Sequence, residues 1–157
     1  MIEVYTGAGK GKTTAAVGLA VRALGAGLRV YFMQFMKSLA YSEQKILQGF
    51  APVLELHTTG KPFFIAQEGM LTEEERAAWG DDVVVFPEGK PPADYLRLMR
   101  EGFSLAAAAA RSGKWDIVIL DELNVALFFG LISREEVEAL LDAMPPEREL
   151  VLTGRNA

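Results

Sequence analysis

A chain of 157 residues, half of them hydrophobic, is long enough to bury a real core as one domain without staples. It has no cysteine, which excludes disulfides, thiolate metal sites and thiol nucleophiles, and its net charge of -5 argues against a general nucleic-acid surface. The N-terminus lacks the basic start and apolar core of a signal peptide, and no apolar run approaches the ~18 residues of a membrane span, so a cytoplasmic protein with neither nucleic acid nor membrane as partner is expected.

Ile2 to Tyr5 form a short apolar run that reads as the first strand. Directly behind it, Thr6-Gly-Ala-Gly-Lys-Gly-Lys-Thr-Thr14 opens an Ala-rich helical pattern, and this order of strand, glycine-rich turn and helix is that of a phosphate-binding loop. Gly7, Gly9 and Gly11 let the backbone around Ala8 and Lys10 turn its N–H groups inward about an anion. Lys12 brings a point charge, Thr13 offers a hydroxyl to Mg²⁺, and the helix N-terminus adds its partial positive charge. Thr6 stands where the usual pattern has its first glycine, and Lys10 is an additional charge inside the loop. A glycine-rich turn without a ligand is the bland alternative.

A helix is expected from Thr13 to Leu24, stopped by Gly25 and Gly27. Arg29 to Phe35 is then a nearly continuous apolar strand, as in a parallel sheet covered on both faces, so the first three elements make a βαβ unit. Tyr41 to Gly49 is expected to be helical, Val53 to Thr58 a third strand, Leu96 to Arg111 a helix and Asp116 to Leu120 a fourth strand. Ser133 to Glu136 form a capping box that starts a helix to about Ala143, and Glu149 to Thr153 is the fifth strand. Residues 67–94, rich in glutamate and proline, read as an inserted excursion, in which Val83 to Phe86 is either an edge strand or the apolar seat of a lid. The fold class is therefore α/β: a single P-loop NTPase-like (RecA-like) domain, with a mainly parallel sheet and helices on both faces.

Ile117 to Leu120 run into Asp121 and Glu122. Alone, an acidic pair after a strand is an ordinary solvated turn. In an open parallel sheet, though, ligands gather at the carboxyl ends of the strands, which brings the pair beside Lys12 and Thr13, where carboxylates suit Mg²⁺. Gln34 and Lys37, Thr58-Thr59-Gly60, and Thr153-Gly154-Arg155-Asn156 fall at the ends of the other strands, and their shared edge points to one ligand surface. His57, the only histidine, has no partner at metal-ligand spacing and reads as a half-exposed strand residue. The chemistry then has to come from phosphate electrostatics, a metal or a reactive cofactor.

Together Gly-Lys-Gly-Lys-Thr-Thr (9–14), Gln34-Phe-Met-Lys37, Thr59-Gly60, Asp121-Glu-Leu-Asn124 and Thr153-Gly-Arg-Asn156 resemble the P-loop ATP:corrinoid adenosyltransferases, in that family's order and over most of the chain outside 67–94. The resemblance implies transfer of the 5′-deoxyadenosyl group of ATP to cobalt(I) of a corrinoid with release of triphosphate. The nucleotide would lie reversed in the loop, which Thr6 is compatible with, and the reduced metal would be the nucleophile, so no general base is required. It also implies that Gly7, Ala8, Gly9, Lys10, Gly11, Lys12, Thr13 and Thr14 hold the triphosphate, that Thr13, Glu122 and Asp121 hold Mg²⁺, and that Gln34, Lys37 and Arg155 line the cleft. Family members use bulky apolar residues after Thr-Gly to displace the corrinoid's lower ligand. Phe63 is the candidate wedge here, with Lys61 where an aromatic often stands. A flavoprotein reductant and a homodimer are further implications. Relatives continue past Thr-Gly-Arg-Asn, so either the protein is short by nature or the sequence is cut, at some expense to activity.

Two other readings remain open. A small P-loop kinase or NTPase would move the γ-phosphoryl group and release ADP, and a nonenzymatic RecA-like module would bind single-stranded DNA in a salt-dependent way, which the acidic balance disfavours.

Overall fold

Five parallel strands form the main sheet of the computed structural model, which describes residues 1–155: β1 (Ile2–Tyr5), β2 (Val30–Phe35), β3 (Leu54–Thr59), β6 (Ile117–Asp121) and β7 (Glu149–Thr153), in the spatial order β1-β7-β6-β2-β3. Asn156 lies outside the described residues. The continuous apolar runs have the cause expected of them, because alternate residues of each strand enter separate cores on the two faces. Val30 and Phe32 of β2 and Ile117 and Ile119 of β6 pack on one side with Ala16, Ala20 and Ala23 of helix α1 (Lys12–Gly25). Tyr31, Met33, Phe35, Val118 and Leu120 face the other side, against helix α4 (Ala93–Arg111) and helix α5 (Leu123–Phe128). The alanines of α1 are what bring its backbone close to the sheet.

Helices α2 (Ser42–Gln48) and α6 (Arg134–Asp142) add to the two cores, α2 on the side of α1 and α6 on the side of α4. Helix α2 follows β2 and buries Leu47 and Gln44. Helix α6 starts at the capping box, where Ser133 Oγ accepts from the Glu136 N–H and the Glu136 carboxylate accepts from the Ser133 N–H. Helix α4 begins at Ala93, earlier than the apolar pattern suggests, because Pro92 sets the N-cap and Asp94 stands in the first turn.

The stretch around residues 64–86 forms a second, two-stranded parallel sheet, β4 (Phe64–Gln67) with β5 (Val83–Phe86), bridged by helix α3 (Glu73–Trp79). Val83 to Phe86 is thus a strand, and Phe86 is buried against Phe129 in the main core. Helix α3 buries none of its residues. Among the described residues, no helix is long and apolar enough to cross a membrane.

Candidate functional site

Two positive-φ glycines, Gly7 at 128° and Gly11 at 107°, bend the chain between β1 and α1, a conformation that side-chain-bearing residues rarely adopt. Gly11 is the N-cap of α1, with no side-chain cap and no acidic residue in the first turn, so nothing on the helix competes with an anion for its leading N–H groups. The Lys12 ammonium folds over the loop and donates to the Gly7 and Gly9 carbonyls at 2.6 and 2.7 Å. Lys10 is exposed at the rim.

The carboxyl ends of β6, β2 and β7 bring four donors onto one buried carboxylate. Asp121 is fully buried and accepts from Thr13 Oγ1 at 3.0 and 3.1 Å, Lys37 Nζ at 2.8 Å, Gln34 Nε2 at 3.1 Å and Thr153 Oγ1 at 2.6 Å. Each hydroxyl is used in both senses. Thr13 also accepts from Lys37 at 3.0 Å, and Thr153 accepts from the Glu122 N–H at 3.0 Å. Gln34 donates in addition to Glu43 and accepts from Gln44, whose own carbonyl takes the Tyr41 N–H. A chain of two buried amides therefore ties the loop after β2 to Asp121.

Glu122 sits next in sequence at φ 63°, left-handed and strained for a residue other than glycine. Burial, and then repulsion from Asp121, hold its carboxyl above the usual carboxylate range, while Lys37, Lys12 and Arg155 pull it back. It faces an open cleft of about 340 Å³, together with Lys37, Arg155 and an aromatic wall that includes Tyr41, Phe64 and Phe128. A smaller cavity of about 210 Å³ adjoins it, lined by Lys61, Pro62 and Phe63.

The sequence-predicted residues fall into two groups. Lys37, Glu122 and Arg155 line the cleft, Lys37 joins it to the hydrogen-bonded network of Thr13, Gln34 and Asp121, and the Lys12 charge acts on Glu122. Thr59 and Gly60 do not open onto it: Thr59 is buried on Met99, and a side chain at Gly60 would collide with the Lys37 backbone. Phe63 packs between the core and Tyr95 on the side of the smaller cavity, whereas Phe64 is the aromatic on the main cleft. His57 is on β3, stacked on Tyr31 and bonded to Glu55. Gln44, Glu43 and Tyr41 carry no signal in the sequence, since a buried glutamine on a short helix has the same pattern as a solvated one, whereas Phe64 belongs to the apolar run after Thr-Gly from which Phe63 is the candidate wedge.

The oxygens present suit a hard divalent cation. Among the described residues no three His, Cys, Asp or Glu side chains cluster as a metal site. The set at hand is instead the Thr13 hydroxyl with the Asp121 and Glu122 carboxylates, the short protein ligand list that Mg²⁺ takes when phosphates supply the rest.

A family profile described as ATP:corrinoid adenosyltransferase BtuR/CobO/CobP matches residues 1–157. The chain is 29% identical to a corrinoid adenosyltransferase of Pseudomonas aeruginosa and 31% identical to the corrinoid adenosyltransferase CobA of Salmonella typhimurium, in alignments covering 100% and 99% of it. An uncharacterized protein of Nostoc sp. is 31% identical over 99% of the chain. The chain spans 39% of the length of the Nostoc relative and 67% of the length of the other two.

Proposed function

The chain belongs to the ATP:corrinoid adenosyltransferase family, and from that membership and the geometry of its cleft we propose that it transfers the 5′-deoxyadenosyl group of ATP to cobalt(I) of a corrinoid. The observation that supports the reading is an anion-binding bend tied through Thr13 to Lys37 and the buried Asp121, beside a cleft where Lys37, Glu122 and Arg155 stand with an aromatic wall. One side matches a polyphosphate, the other a large flat macrocycle.

In the reaction the cobalt(I) electron pair attacks C5′ of ATP, the Co–C bond forms, the C5′–O5′ bond breaks, and triphosphate leaves with the bonding pair while cobalt becomes formally Co(III). Charge therefore grows at the α-phosphate end of the leaving group. The loop N–H groups around Gly7 to Thr14, with Lys10 and Lys12, would be the donors that stabilise it, a role the uncapped N-terminus of α1 supports. Mg²⁺, held by Thr13, Glu122 and Asp121, would supply further neutralisation of the triphosphate. No side chain has to remove a proton, in keeping with a site that contains neither histidine nor cysteine.

Gln34 and Lys37 are assigned to shaping this end. Lys37 bridges Thr13 and Asp121 and so compensates the buried charge, and Gln34 fixes the carboxylate's orientation. Arg155 stands at the cleft mouth as an electrostatic partner of Glu122. Phe63 remains the candidate to displace the corrinoid's lower ligand. A flavoprotein as electron donor and a homodimer complete the proposal.

The test is incubation with ATP, Mg²⁺ and chemically reduced cobalamin. The expected result is the absorbance change of Co–C bond formation, with inorganic triphosphate in equal amount. ADP as product, without dependence on corrinoid, favours the kinase reading instead.

A further inference from the structure

Tyr95, in the first turn of α4, has no exposed surface, and its hydroxyl has no hydrogen-bond partner among the described residues. An unpaired buried hydroxyl is destabilising, so its retention calls for a partner that arrives later. Tyr95 is part of the wall of the 340 Å³ cleft, on which Tyr41 also stands. Burial raises its pKa to about 12, so the phenol stays protonated and serves as a donor.

The surroundings show what could reach it. Met36, Tyr41 and Phe64 line both the main cleft and the smaller 210 Å³ cavity, so these three side chains are the partition between the two. Phe64 is 46% exposed and Met36 is only half-buried, so the partition has room to move. Phe63 lies on the far side of it, with its ring 6.0 Å from that of Tyr95. A corrin macrocycle with its peripheral amides outsizes either cavity alone and would need both.

We propose that Tyr95 is a specificity-determining residue, whose phenol donates a hydrogen bond to an amide carbonyl on the corrinoid's periphery once the Met36–Tyr41–Phe64 partition is displaced and the two cavities merge. The proposal rests on the corrinoid reading of the cleft. The donor is set in an apolar wall, where a ligand that offers an acceptor gains a desolvated hydrogen bond and one that lacks it leaves the phenol orphaned.

The experiment is Tyr95→Phe, compared with the wild type in three measurements: thermal midpoint without substrates, KM for reduced cobalamin, and KM for ATP. Loss of an orphan hydroxyl leaves the midpoint unchanged or higher, while KM for the corrinoid rises about fivefold to tenfold and KM for ATP stays put. A lower midpoint would mean that the phenol is already satisfied inside the protein, and the inference falls. It falls equally if KM for the corrinoid is unchanged or if KM for ATP moves instead. A wild-type protein that forms no Co–C bond at all overturns the corrinoid reading itself, an outcome read before any variant is made.

Discussion

At the loop end of the cleft one network commits its polar groups: Asp121 is fully buried beneath four donors, two hydroxyls relay hydrogen bonds in both senses, and two amides pin the neighbouring loop. Across the same cleft, Phe64, Met70 and Phe128 leave nearly half of their surfaces exposed, and Trp79 of α3 rests edge-on against Phe64 at 4.7 Å. The first region is set up to hold charge in fixed positions, as stabilisation of a leaving group requires. The second is an adaptable apolar wall suited to a large ligand. One cleft thus joins a rigid electrostatic half to a yielding aromatic half, and variants in the two halves should fail in different ways.

The largest effect falls on the rigid half. Lys12→Ala lowers triphosphate release by roughly 10²–10³-fold, with the thermal midpoint hardly altered, because this lysine bonds only to exposed loop carbonyls. A variant with near-normal turnover would remove the loop from the reaction. Asp121→Ala acts on stability instead. It strands Lys37, Gln34 and Thr153 around an uncompensated buried site and costs about 3–5 kcal/mol in urea unfolding.

Lys37→Met sharpens the same half. Lys37 occupies the Thr13 and Asp121 oxygens that the proposed Mg²⁺ site would use, so Mg²⁺ is expected to raise the thermal midpoint of the variant more than that of the wild type, by about 2–4 °C for each kcal/mol of added binding. Equal shifts would place the metal elsewhere. Glu122 gives a pH signature: its folded-state pKa lies above the ordinary value, so its contribution to stability is fully present below the unfolded pKa and is lost as pH rises through the raised one. Glu122→Gln therefore flattens the alkaline side of that titration, followed as the unfolding midpoint against pH without metal.

The smallest effect belongs to the adaptable half. Phe64→Ala leaves unfolding within about 0.5 kcal/mol, since the ring is already 46% exposed, yet raises KM for the corrinoid and not for ATP. Phe63→Ala, cut from a ring packed on Tyr95, costs more stability and weakens the signal of four-coordinate cobalt. If the two variants behave alike, the wall has no division of labour.

The two halves were unequally legible in the sequence for the same physical reason. Lys12, Thr13 and Asp121 belong to short runs fixed by strand and helix periodicity, and parallel pairing then brings β1, β6 and β7 to one edge, so local spacing carries the site. Gln44 and Tyr95 take their meaning from burial, which no local pattern around them records. Helix α5 leaves no clear pattern because it is six residues long and starts directly after its N-cap Glu122, which in sequence reads as the acidic end of a strand. Strand β4 is four residues beside a Lys-Pro step, and its partner β5 is held by pairing across an intervening helix rather than by a hairpin turn.

The central claim is that carbon, and not phosphorus, leaves ATP in this cleft. ATP labelled with ¹³C at C5′, mixed with the protein, Mg²⁺ and reduced cobalamin, tests it by NMR of the products. The expected result is the label on cobalt-bound carbon in the corrinoid fraction, with unlabelled triphosphate released. Recovery of the label only in ADP or AMP would contradict it.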